Sequence, residues 1–161
     1  MIIVAPQASF TRPGDTTSYA DGDLVANSTT AGSVTPMKFS MHGLGRSGMV
    51  RRARLTKTTN TSTAAVFALH LFDSEPTVGA GDNSALAIAT NLASWLGKIA
   101  VDMSSGAEAG ASTVISQVSA AVAFGVSKPV AGGVVYGLLE AGGAYAPGAS
   151  EVFTVHLEIE G

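Results

Sequence analysis

Apolar and polar residues alternate most plainly at the C-terminal end of the chain. Across Glu151–Glu160, Phe153, Val155, Leu157 and Ile159 fall on one face, and Thr154, His156, Glu158 and Glu160 on the other. A period of two is that of a strand with one face buried. Met37, Phe39 and Met41 alternate with Lys38, Ser40 and His42 in the same way. In Ala65–Phe72 both faces are largely apolar: Phe67, Leu69 and Leu71 on one, Val66, Ala68 and Phe72 on the other. Such a strand is covered on both sides, or has one face in an interface.

Weaker patterns add strands at Ala8–Thr11, Asp23–Asn27, Met49–Thr58, Leu96–Met103, Ser112–Val126 and Val134–Ala141. Glycine-containing pairs punctuate them: Gly14-Asp15, Asp21-Gly22, the Gly43–Gly48 stretch, Gly132-Gly133 and Gly142-Gly143. Glycine takes positive φ at little steric cost, so these read as turns. One stretch reads differently. Leu86, Ala89, Leu92, Ala93 and Leu96 recur near helical spacing, with Asp82 or Asn83 placed to cap them. A short helix or a helical turn is expected near residues 83–94. Eight or nine strands in 161 residues give an all-β chain. The expected fold is an antiparallel β-sandwich, a jelly roll first and another sandwich second. Residues 1–161 read as a single domain, with residues 1–18 as an N-terminal arm.

Composition changes this picture in one respect. Ala, Gly, Ser and Thr are 77 of the 161 residues, only 13% are charged, and the net charge is −3. That is too apolar for disorder and the wrong sign for a general nucleic-acid binder. With no cysteine, disulfides and thiolate metal sites are excluded. The N-terminal Met1–Pro6 lacks the basic region of a signal peptide, and no apolar stretch has the length of a membrane span. A monomer's surface usually carries ~25–35% charged residues. So few charges imply surface covered by neighbours, and a homo-oligomer is expected, a trimer by analogy with other jelly rolls.

The search for chemistry finds little. His42, His70 and His156 lie on three different candidate strands, with no His-x-His pair of the kind a cupin metal site uses. Asp73, Glu75 and Asp82 flank a glycine-rich loop and offer oxygens to a calcium ion, but their spacing is not that of an EF-hand; a turn with a helix cap accounts for them as well. Gly43-Leu44-Gly45-Arg46-Ser47-Gly48 has the bare dinucleotide spacing, but a basic strand follows it where a helix is required. There is no nucleophile elbow. The expectation is a protein that is not an enzyme and carries no cofactor.

The strong charge feature is basic. Arg46, Arg51, Arg52, Arg54 and Lys57 are five of the nine Lys and Arg residues, within twelve positions. As a strand, this segment carries charge on both faces, which points to an edge strand or a bulge. Protection of an edge or contact with a sister subunit is the first reading. A docking patch for an acidic partner is the second, and nucleic acid is disfavoured because no aromatic residues interleave the charges.

Four stretches in series resemble small structural proteins of tailed bacteriophages. They are Tyr19-Ala20-Asp21-Gly22-Asp23-Leu24-Val25, then His70-Leu71-Phe72-Asp73-Ser74-Glu75-Pro76-Thr77, then Asp82-Asn83-Ser84-Ala85-Leu86, then Trp95-Leu96-Gly97-Lys98-Ile99. Order and spacing agree over residues 19–103. The resemblance implies a capsid decoration (cement) protein with a jelly-roll fold. Such proteins typically form trimers on the outer capsid, bind the major capsid protein and reinforce the shell against the pressure of packaged DNA. It implies a virion component made in the host cytoplasm, with no membrane and no direct nucleic-acid partner. No catalytic residues carry over, and the Arg51–Lys57 segment lies outside the resemblance. A trimeric tail-fibre or receptor-binding sandwich is the alternative, with Tyr145 as its loop aromatic for stacking on glycans.

Overall fold

The computed structural model describes residues 2–42, 44, 47–59, 65–104, 107–108, 114–124 and 133–161, with backbone alone at 107–108 and 114–116. The strands are β1 (Ile3–Val4), β2 (Gln7–Thr11), β3 (Leu24–Val25), β4 (Met37–Ser40), β5 (Gly48–Lys57), β6 (Val66–Phe72), β7 (Trp95–Asp102), β8 (Ala107–Glu108), β9 (Val114–Phe124), β10 (Val134–Ala141) and β11 (Val152–Glu160). They form two antiparallel sheets packed as a sandwich. The first runs β1-β11-β5-β9-β8, with β2 also paired to β11; the second runs β3-β10-β6-β7, with β4 also paired to β10.

The alternation in the sequence becomes the two faces of each sheet. Phe153, Val155, Leu157 and Ile159 of β11 point inward against Phe67, Leu69 and Leu71 of β6 and their neighbours, in one buried cluster. Phe67 sets its ring edge-on against both Phe153 and Tyr145. Gly137 of β10 is part of this packing, since a Cβ there would lie 2.9 Å from the Phe39 ring.

The second sheet is covered on its outer face as well, and by its own chain. Leu24, Ala26, Phe72 and Leu138 are buried beneath Val78, Ala80, Leu86, Ile88 and Trp95. The outward Phe72 of β6 therefore needs no second subunit to bury it.

That cover is where the expected helix lies, and the structure reduces it to one 3₁₀ turn at Ala89–Asn91. The backbone just before it is spent elsewhere: Leu24 donates to Ser84 O, and Leu86 donates to Gly22 O. Asn83 sits at φ 60, outside helical space. Leu92, which helical spacing would bury, is 56% exposed. Asn91 then pins the cover by bonding both the N–H and the C=O of Thr77, each at 2.9 Å.

Much of the N-terminal stretch expected as an arm lies in the first sheet. β2 pairs with one end of β11, from Thr11↔Val152 to Gln7↔His156, and β1 pairs with the other at Ile3↔Glu160. Nor is the basic strand at an edge. β5 lies between β11 and β9. The bulge alternative accounts for it: the register against β9 shifts between Val50 and Arg52. Two consecutive arginines, Arg51 and Arg52, then both face solvent.

Candidate functional site

Charged residues gather in two places, at one end of the sandwich core and on the outer face of the first sheet. The buried group is built from strand ends. Arg12 follows Phe10 by two, Lys57 follows Leu55 by two, and Glu151 precedes Phe153 by two. Each continues the inward face of its strand one step past the last apolar residue. Lys57 stands directly opposite Phe153 in the register, which brings its side chain to Glu151.

Two clusters of the same design result. In one, Arg12 Nε donates to the Tyr19 hydroxyl at 2.8 Å, Tyr19 donates to Asp82 Oδ1 at 2.6 Å, and Arg12 Nη2 reaches Asp82 Oδ2 at 3.2 Å. In the other, Lys57 Nζ donates to the Tyr145 hydroxyl at 3.1 Å and to Glu151 Oε1 at 3.0 Å, while Tyr145 donates to Glu151 Oε2. The side chains of Arg12, Lys57 and Glu151 are fully buried, and that of Asp82 nearly so. The two tyrosine rings stack at 6.1 Å and 12°, and their backbones bond to each other in both directions. Each cation also lies over its own tyrosine ring, at 5.2 Å for Arg12 and 5.1 Å for Lys57.

The electrostatics follow from burial. Desolvation, followed by the bond to Asp82, raises the Tyr19 pKa, so the phenol stays a neutral donor. Desolvation lowers the Lys57 pKa against the opposing pull of Glu151. Asp82 Oδ1 also accepts the backbone N–H of Ala26 at 2.7 Å. Gly81 allows this approach, because the Thr29 backbone occupies the place of its missing Cβ. The cluster is fully enclosed, so its chemistry is that of a fastener: it ties β2, the 82–83 turn, β5 and the start of β11 together.

The outer face of the first sheet holds three exposed cations, Arg51, Arg52 and Arg54. Arg51 Nε meets Glu160 at 2.5 Å, and Arg52 Nη1 meets Glu158 at 3.4 Å, both well exposed. Arg54 stands opposite His156. The five-residue basic group of the sequence is thus split. Arg51, Arg52 and Arg54 share the outer face, Lys57 is in the core, and Arg46 lies outside the described residues.

The other candidates separate too. Asp82 pairs with Arg12 inside, and Glu75 pairs with Lys38 at 3.4 Å outside. Among the described residues no group of three His, Asp or Glu side chains is placed to hold a metal ion. His70 is buried and bonds Glu140 at 2.7 Å, while His42 is exposed. Tyr145, the aromatic expected to present itself to glycans, is 4% exposed and stacked on Tyr19. Among the described residues no helix is long and apolar enough to cross a membrane.

The class defined by this architecture is the two-sheet antiparallel β-sandwich. No family model and no curated protein matches the chain. Solved structures with weak similarity include the capsid of Helicobacter pylori bacteriophage KHP30, at 11% identity, covering 99% of this chain and 88% of that one, with a TM-score of 0.35. The PRD1 vertex protein P5 is 17% identical over 98% of this chain and 96% of that one, with a TM-score of 0.37. A carbohydrate-binding module for non-crystalline cellulose, CBM28, is 10% identical over 94% and 98%, with a TM-score of 0.42. Virion proteins and a sugar-binding module stand side by side here, and similarity at this level carries no functional argument.

Proposed function

We propose that this chain is a structural virion protein: a capsid decoration protein that assembles as a homotrimer on the outer surface of the head and binds the major capsid protein. The observation that carries this reading is the place of the four phage-like stretches. They come together around the second sheet: the first contains β3, the second the end of β6 and the fourth the start of β7, while the third is the turn whose Leu86 packs over that sheet. Asp23 bridges to Ala85, Asn83 donates to Leu24 O, Tyr19 bonds Asp82, and Phe72 pairs with Trp95 in the register. Several polar groups of these stretches, Tyr19, Asp23, His70 and Asp82 among them, hold the chain to itself, which supports a role exercised through rigidity and surface. β1, β2 and β11 tie both ends of the chain into one sheet, which suits a protein under mechanical load. Weak contacts repeated by symmetry then give avidity.

The test is imaging of virions that carry the protein, by electron microscopy with a labelled copy. Many copies over the head, grouped in threes, are expected, and heads lacking the protein should rupture at lower temperature. A single location at the tail tip, or absence from the particle, overturns the proposal.

A further inference from the structure

Four strands each bring one outward residue into a single row across the first sheet. Gln7 of β2 stands opposite His156 of β11, His156 opposite Arg54 of β5, and Arg54 opposite Gln117 of β9. Every member can donate a hydrogen bond, and none is acidic. Three of its members, His156, Arg54 and Gln117, line a surface groove of about 180 Å³ together with Ala5, Arg52, Leu157 and Glu158.

The charges around the groove do not balance. Arg51 and Arg52 have Glu160 and Glu158. Arg54, the arginine in the middle of the row, has no carboxylate partner among the described residues. Its charge is felt by His156. Desolvation first, and then Arg54, hold the imidazole below its ordinary 6.5, so it is a neutral donor at pH 7. The charged groups facing His156 are Arg54 and Arg52 from β5 and Glu158 on its own strand. The other flanking strands bring only Gln7, Ser9, Gln117 and Ser119.

We propose that the Gln7–His156–Arg54–Gln117 row is a docking site for a protein carboxylate, an aspartate or glutamate side chain on an exposed segment of a partner. The guanidinium fork matches a carboxylate with two parallel hydrogen bonds, and the imidazole and amides beside it supply further donors. A single uncompensated positive charge suits a monoanion. Glu158 at the rim works against a phosphate dianion. Taking the partner to be the capsid shell rests on the function proposed above, but the carboxylate site itself is tested on the isolated chain, so the two can fail separately.

The experiment follows the His156 imidazole by NMR pH titration of the full chain, with acetate as the probe and chloride at equal ionic strength as the control. His42 and His70 serve as internal references. Acetate is expected to move the His156 titration upward in a saturable way, because a bound anion offsets Arg54. In Arg54→Gln the unliganded titration should already stand higher, and the acetate response should vanish. A phosphate arm separates the anion classes. The proposal is overturned if acetate acts no differently from chloride, if its effect survives in Arg54→Gln, or if phosphate saturates the site at lower concentration than acetate.

Discussion

Lys57 and Arg54 lie three residues apart on the same strand and have opposite surroundings. Lys57 is sealed in the core against Glu151 and Tyr145. Arg54 lies on the exposed outer face, with solvent over it and a histidine beside it. The buried cation has given up its hydration, and only a fixed set of acceptors makes that tolerable. The exposed one keeps its water, so it contributes little to the fold and remains available to a partner. Charge scarcity in this chain thus has a second aspect. Several of its few charges are inside, where they fasten the sandwich.

The largest expected effect tests the buried side. Glu151→Leu leaves the Lys57 ammonium in the core without its counterion, which should destabilise the fold by about 3–5 kcal/mol. Lys57→Met together with Glu151→Leu removes both charges and should recover much of that loss. Urea unfolding of the two single variants and the double variant measures the coupling. Additive losses would show that the two residues are not a unit.

How far this arrangement was legible differs by scale. Alternation and turn signals together mark nine of the strands, including the two-residue β3 beside the Asp21-Gly22 turn. They miss β1 and β8, two residues each, where neither a period nor such a turn marks the run. The helical stretch expected at residues 83–94 is held to a single turn for another reason: Leu86 and Ile88 serve an irregular cover whose backbone bonds go to Gly22 and Leu24, which local spacing does not reveal. The buried cluster joins residues 70 and 94 positions apart, so neither pair is visible locally. A signal was nevertheless present. Arg12, Lys57 and Glu151 are all in phase with the inward residues of their strands, and a charge on the apolar face at a strand end predicts a buried partner.

The next effect is smaller and tests the exposed side. Arg51 and Glu160 are 49% and 30% exposed, so Arg51→Ala should cost only about 0.2–1 kcal/mol, with the difference shrinking as salt rises. A loss as large as that of Glu151→Leu would erase the contrast between the two regions.

The smallest effect is a slope with pH, and it separates the regions by where they titrate. His156 has a folded pKa below 6.5, lowered by desolvation and then by Arg54. Just below 6.5 the unfolded chain therefore binds more protons at this residue than the folded one, so its contribution makes stability rise with pH and level off above that point. Asp15, held down mainly by the Thr17 backbone N–H, and Asp102, held down mainly by the Ser104 hydroxyl, start from 3.8. Their contributions are present above that value and are lost only as pH falls through their lower folded values. His156→Gln should flatten the melting temperature just below pH 6.5 while leaving the acid limb below pH 3.8 in place. Melting curves of both proteins across that range check it. An unchanged upper slope would mean that folding does not lower the His156 pKa.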